Sequence, residues 1–278
     1  MITDFETNTI YFSELLKTDK RFTKIFEEIT RVLKSIDIEP KLLPKTKDIW
    51  ARDYMPIQVS EKRFVEYRYD PNYLQGDWKG SRDLKTYPDI VCDYLKLQTE
   101  KSDLIMDGGN FIKSSDCIIL TDKIVKENRF AYSKKELIKK LQDTFQVDKV
   151  VLIPWDKLEE YGHADGMLRF INNKTVLVNY LYKDDSVLQY RLKQAGIKPE
   201  FLDYKNKTNY KLNWAYINFL QAKDLILLPK FNISEDEEAF KQIELYYPEY
   251  KGRVFQIDMT EIIQFGGALN CISWTIKE

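Results

Sequence analysis

The sequence predicts an α/β fold, and three observations predict it. Amphipathic segments with helix start signals alternate with short runs of branched apolar residues, too short to be helices. Hydrophobic residues fill 44% of the 278 positions, enough to bury a sizeable core, which argues against disorder. Five polar residues set beside glycines or inside apolar runs, Asp53, Asp107, His163, Asn218 and Cys271, recur about 55 residues apart, close to one fifth of the chain. A circular array of five strand-helix units, each aiming one loop at an axis, would gather all five into one pocket. No linker or low-complexity stretch divides the chain, so a single domain over residues 1–278 is expected.

The helices come in chain order. "RFTKIFEEITRVLKSI" carries the helical period. "SKKELIKKLQDTF" sets Ser133 three residues before Glu136, a capping box, and places Leu137, Ile138, Leu141 and Phe145 on one face. "SVLQYRLKQAG" stops at Gly196, with Pro199 beyond it. In "SEDEEAFKQIELYYP" the spacing of Ser234 and Glu237 predicts a second capping box, with Phe240, Ile243 and Tyr247 as the apolar face and Pro248 past the end. Between them "CIILT", "KVVLI", "TVLVN", "DLILLP" and "RVFQI" read as strands, and "CISWTI" as a terminal one.

Charge and cysteine usage narrow the function. With 43 basic and 44 acidic side chains, a formal net charge of -1 and no long run of one sign, nothing invites nucleic acid or an anionic membrane. A small molecule is the natural partner. Three cysteines form no CxxC pair and are an odd number, against both a zinc knuckle and a disulfide framework. The N-terminal stretch lacks a charged segment followed by an apolar one, and no window approaches a membrane span, so a soluble cytoplasmic protein is expected. Oligomeric state stays open, homo-oligomer included, because apolar faces of outer helices look like core faces in sequence.

Four segments carry candidate chemistry. "DIWARDYMPIQ" packs Trp50, Arg52 and Asp53 ahead of a proline, although a turn cap would account for the aspartate equally well. "LIMDGGNFI" puts Asp107 at the end of an apolar strand before two glycines that allow a tight turn, and a hairpin fits it too. "GHADGMLRF" holds the chain's only histidine; in an extended segment His163 and Asp165 would share one side, with Gly162 and Gly166 keeping the approach open. A single histidine excludes an imidazole-rich zinc or iron site. "FGGALNCISW" sets Cys271 after a Gly-Gly loop, at an exposed strand end, whereas Cys92 and Cys117 fit buried apolar faces. Cys271 with His163 fits a cysteine nucleophile and its acid/base partner.

Together these segments resemble the guanidine-modifying superfamily, and within it the agmatine deiminase and bacterial-type peptidylarginine deiminase family. "WARDYMPI", "DGGNF", "GHADGMLRF", "WAYINFLQA" and "GGALNCIS" occur in family order. The resemblance implies a five-fold pseudosymmetric α/β propeller of ββαβ units and a deiminase that hydrolyses a guanidinium C–N bond, with no metal or organic cofactor. It implies Cys271 as nucleophile, His163 as proton carrier and Asp107 as the acid that orients it. Asp53 and Asp165 would grip the guanidinium by paired hydrogen bonds, Trp50 would cover its flat face, and Asn218 would orient substrate or cysteine, with Tyr216 a further candidate. Two departures bear on substrate choice: Asn270 stands where typical agmatine deiminases have histidine, and Phe265 replaces the first of three glycines. Agmatine, free arginine and peptidylarginine all remain open, as do amidino transfer and a non-catalytic binding propeller.

Overall fold

The computed structural model describes residues 1–75, 82–157, 161–204 and 210–278. Its strands form five three-stranded sheets of one repeated design. In the second blade the central strand Arg63–Arg68 pairs antiparallel with Ile57–Ser60 and parallel with Glu100–Ile105. The third repeats this with Ile112–Lys113, Cys117–Thr121 and Lys149–Ile153, the fourth with Leu168–Asn172, Thr175–Asn179 and Lys198–Leu202. The fifth uses Leu220–Ala222, Leu225–Lys230 and Val254–Asp258. A hairpin supplies the antiparallel pair, and a helical crossover is needed for the parallel one, which is the ββαβ order.

The first blade closes the ring. Its central strand Thr9–Ser13 pairs antiparallel with the last strand of the chain, Ser273–Ile276, and parallel with Lys41–Leu43. All five residues of that central strand are buried, so the two ends of the sequence meet inside the structure and not on a frayed edge. This is the five-fold α/β propeller that the residue intervals anticipate.

Crossover helices cover the blades. Lys134–Phe145 begins at Ser133, whose hydroxyl accepts from the Glu136 amide while the Glu136 carboxylate accepts from the Ser133 amide, and it buries Leu137, Leu141 and Phe145 against the blade. Each such leucine contributes about 1.5–3 kcal/mol of burial. Ser186–Gln194 ends before Gly196, which takes φ +71 as the helix stop requires.

The second capping box does not form. Ser234 already has helical backbone angles and its hydroxyl donates to Glu235. Asp236 takes over the loop, accepting from the Phe231 and Ile233 amides and from the Tyr216 hydroxyl. Those bonds wind the chain one residue earlier than a serine cap would allow. They also engage Tyr216 away from the pocket described below.

Candidate active site

The five evenly spaced polar residues all occupy the same structural slot, the connection just before the first strand of a blade. Asp53 lies in the short helix Ala51–Tyr54 ahead of Ile57; Asp107 precedes the 3₁₀ turn Gly108–Asn110, and His163 the turn Ala164–Gly166. Asn218 follows the turn Trp214–Ile217, and Cys271 stands two residues before Ser273. The blades aim these connections at the axis. There a cavity of about 390 Å³ is lined at its inner end by Trp50, Asp53, His163 and Cys271, and further out by Asp48, Tyr69, Tyr73, Tyr161 and Phe265.

Two expectations about local geometry change. His163 and Asp165 do not sit on an extended segment, since His163 alone is extended and the chain then coils through Ala164–Gly166. The coil turns Asp165 behind the cavity wall, 2% exposed, while His163 stays at the wall. Cys271 is not an exposed strand-end residue. It is 7% exposed, with its sulfur on the cavity and its carbonyl accepting from the Arg52 amide at 3.1 Å. Cys92 and Cys117 are buried in blade packing, as apolar cysteines are.

The glycines of "DGG" serve close approach. Neither takes a left-handed φ. A Cβ on Gly108 would collide with the Arg52 carbonyl, and one on Gly109 would lie 2.6 Å from both Asp53 Oδ1 and His163 Nδ1. Gly109 also donates its amide to Asp53 Oδ1 at 3.0 Å, so the absent side chain is what lets the acid and the imidazole face each other. Gly267 does the same for Trp50, whose ring fills the space a Cβ would need.

His163 is held from two sides. Its Nε2 is 3.0 Å from Asp107 Oδ2, and its Nδ1 lies 3.7 Å from Asp53 Oδ1 on the side facing the cavity. Burial alone would lower its pKa, but the Asp53 and Asp107 charges overcome that and raise it to about 9. The ring is therefore a cation at neutral pH. Asp107 in turn suffers burial, which the His163 bond and the Lys123 charge outweigh, leaving its carboxyl below the usual range. Lys123, invisible as a site residue in the sequence, is 1% exposed; its ammonium bonds Asp107 Oδ2 at 2.7 Å and the Tyr161 carbonyl at 2.6 Å.

The carboxylates at the cavity are strained towards neutrality. Burial pushes Asp53 up to about 7, with the Asp107 and Asp165 charges adding to it against the pull of His163, and pushes Asp48 up to about 8, with Asp53 adding to it. Asp48 Oδ1 accepts from the Trp50 amide at 2.9 Å, which starts the short helix that carries Asp53.

Cys271 Sγ lies 3.6 Å from Asp165 Oδ2 and 3.3 Å from Asn218 Oδ1, and Asn218 Oδ1 also accepts from the Cys271 amide. Burial, then Asp165 and Asp53, push the thiol well above its ordinary value, so the resting group is a thiol that donates to those oxygens.

Asn270 explains how the loop is fixed without a histidine. Its Oδ1 accepts from Arg169 Nη1 at 2.9 Å and its Nδ2 donates to Asp165 Oδ2 at 2.7 Å. An arginine only donates and a carboxylate only accepts, so the amide has one orientation. Phe265, the other departure, stacks edge-on against Phe22 at 5.3 Å and forms part of the cavity mouth. Among the described residues no group of histidines, cysteines and carboxylates is arranged to hold a metal ion, and no helix is long and apolar enough to cross a membrane.

A five-bladed α/β propeller with a cysteine, a clamped imidazole and paired acids around an axial cavity defines a guanidine-modifying hydrolase, one acting on C–N bonds of linear amidines. The chain belongs to the Porphyromonas-type peptidyl-arginine deiminase family, whose model matches residues 1–276. A provisionally named agmatine deiminase of Enterococcus faecalis is 24% identical over 277 residues, covering 81% of this chain and 74% of its own. The fold matches a solved agmatine deiminase of C. jejuni with a TM-score of 0.77 at 16% identity, covering 100% of this chain and 95% of that one. A solved agmatine deiminase of Enterococcus faecalis gives 0.76 at 17%, with 100% and 95% covered. The dimethylarginine hydrolase of Pseudomonas aeruginosa is more distant, with a TM-score of 0.59 at 12% identity over 98% of this chain and 100% of that one.

Proposed function

We propose that the protein deiminates an alkylguanidine of the agmatine or arginine type through a covalent thiouronium on Cys271. The observation that carries this reading is that Cys271, His163, Asp53 and Trp50 line one cavity. The guanidinium enters as a cation with its flat face against Trp50 and its N–H edge on Asp53, while Asp165, 3.6 Å from the Cys271 sulfur behind the wall, adds its charge. Its charge offsets the carboxylates that hold the thiol protonated, so substrate itself lowers the Cys271 pKa and the proton leaves to solvent.

The thiolate attacks the guanidinium carbon, and His163, charged and steadied by Asp107, gives its proton to the departing nitrogen. Ammonia leaves as the C–N bond breaks, and the carbon keeps the C–S bond as an S-alkylthiouronium. Neutral His163 then takes a proton from water, and the oxygen adds to the same carbon. As the C–S bond breaks, the remaining hydroxyl proton passes to sulfur, releasing the ureido product with thiol and imidazolium restored. Asn218 holds the Cys271 amide and sulfur in register throughout. Acid/base assistance of this kind contributes ~10²–10⁴ in rate.

The test is ammonia release from agmatine, free arginine and a short arginine peptide, with Cys271→Ala as control. Turnover of at least one, and a substrate-derived mass on Cys271 in quenched enzyme, are expected. No ammonia and no adduct across a broad guanidine panel would leave a binding propeller as the reading.

A further inference from the structure

Behind the Asn270–Cys271 segment lies a second, smaller cavity that, among the described residues, shares no lining residue with the substrate cavity. It is about 20 Å³, lined among others by Asp4, Arg52, Lys113, Arg169, Gln221 and Asn270. Three of those side chains are cations and one is a carboxylate. All three cations are deeply buried: Arg52 is 8% exposed, and the Lys113 and Arg169 side chains 7% and 4%.

Their hydrogen bonds are unevenly shared. Arg169 is satisfied by Asp4, the Phe219 carbonyl and Asn270. Arg52 is not: Nε reaches the Asn270 carbonyl at 3.4 Å, and among the described residues its two Nη atoms have no acceptor. The nearest carboxylate oxygen to Lys113 Nζ is Asp4 Oδ1 at 3.4 Å, and that oxygen makes no hydrogen bond. Burial, together with the Arg52 and Arg169 charges, lowers the Lys113 pKa against the pull of Asp4. Three deeply buried cations set against one carboxylate carry a large cost.

We propose that this cavity binds a small monatomic anion, chloride in ordinary solution, held by Arg52 Nη and Lys113 Nζ with the Arg169 charge beside it. A water molecule could donate to the unpartnered Asp4 Oδ1 but leaves the excess of cations uncompensated, whereas a halide accepts from the Arg52 and Lys113 donors and offsets a cation. Size selects the class: the volume is little more than that of one water-sized sphere, too small for phosphate or a carboxylate. A surface cleft of about 280 Å³ shares Phe5, Lys113 and Phe170 with the buried cavity. The occupant would brace Arg52, whose backbone amide bonds the Cys271 carbonyl.

Bromide in place of chloride gives the direct test, by anomalous scattering from crystals of the full chain. A bromide peak between Arg52, Lys113 and Arg169 is expected; density that refines as water with no anomalous signal overturns the proposal. In solution, chloride at about ten times its Kd should raise Tm by roughly 2 °C over gluconate at equal ionic strength. The rise should vanish in Lys113→Met. An undiminished chloride response in folded K113M also overturns the proposal, and if K113M does not fold, the bromide map of the unaltered protein decides.

Discussion

The two sides of the Asn270–Cys271 segment are built on opposite principles. In front, Asp48 and Asp53 line the cavity, Asp107 and Asp165 lie just behind its wall, and among the described residues only the cations of His163 and Lys123 answer them at close range; burial drives Asp53 and Asp48 to about 7 and 8. Behind, Arg52, Lys113 and Arg169 crowd one carboxylate, Asp4. The front is short of positive charge and the back is short of negative charge. One amide, Asn270, joins them, accepting from Arg169 and donating to Asp165. Each side therefore stores an electrostatic vacancy, and the sign of the vacancy selects the ligand: a planar cation in front, an anion behind.

Removing the sulfur should have the largest effect on one side and none on the other. Cys271→Ala is expected to abolish ammonia release while leaving Tm nearly unchanged, because the residue's packing role is small. A large loss of stability in that variant would tie the segment to folding more than to chemistry.

Gly109→Ala comes next. The added methyl would lie 2.6 Å from both Asp53 Oδ1 and His163 Nδ1, so the two must part. A misplacement of that order costs about 10²-fold in kcat/KM. Steady-state kinetics on the folded variant check it, and an unchanged rate would show that the His163–Asp53 pairing is dispensable.

The pH profile sharpens the account of the front. kcat/KM should rise as Asp53 ionises near pH 7 and fall as His163 loses its proton near pH 9. Asp107→Asn removes a negative charge that raises the imidazole pKa, so the alkaline limb should move to lower pH. A limb that stays in place would separate it from His163. The same groups set a stability trend of one sign, falling as pH rises, in two different windows. The raised His163 pKa contributes stability that is complete below pH ~6.5 and lost as pH rises through about 9. The raised Asp53 pKa makes ionisation costly, so its contribution falls between pH ~3.8 and about 7.

The smallest effects lie far from the axis. Ser133→Ala breaks a capping box that is present and should cost about 1 kcal/mol in chemical denaturation, without touching kcat. Ser234→Ala removes no cap bond and should cost only a few tenths. Equal losses at the two serines would show that the hydroxyl bonds seen here are not what stabilises those helices.

Much of this was legible in the chain. Helix and strand periods predicted the crossover helices and the central strands because burial of one face imposes a repeat that residue type records directly. The interval of about one fifth of the chain marked Asp53, Asp107, His163, Asn218 and Cys271 because each repeat brings one loop to the axis. The second capping box misled because Asp236, a residue whose partners Phe231, Ile233 and Tyr216 are distant or upstream, competes better for the same turn. Lys123 and Arg169 carried no local sign. A lysine within a polar helix and an arginine in a short strand read as surface residues until other blades close over them.

By itself the sequence determined the fold class and the order of the units and proposed a set of candidate reactive groups, all of which follow from local pattern and residue chemistry. Only the tertiary structure decided which acids face the cavity and which lie behind Cys271, which glycines exist for contact with another blade, and where three cations are buried together. Those properties depend on desolvation and on charges brought together from blades far apart in the chain, and neither quantity exists until the ring is closed.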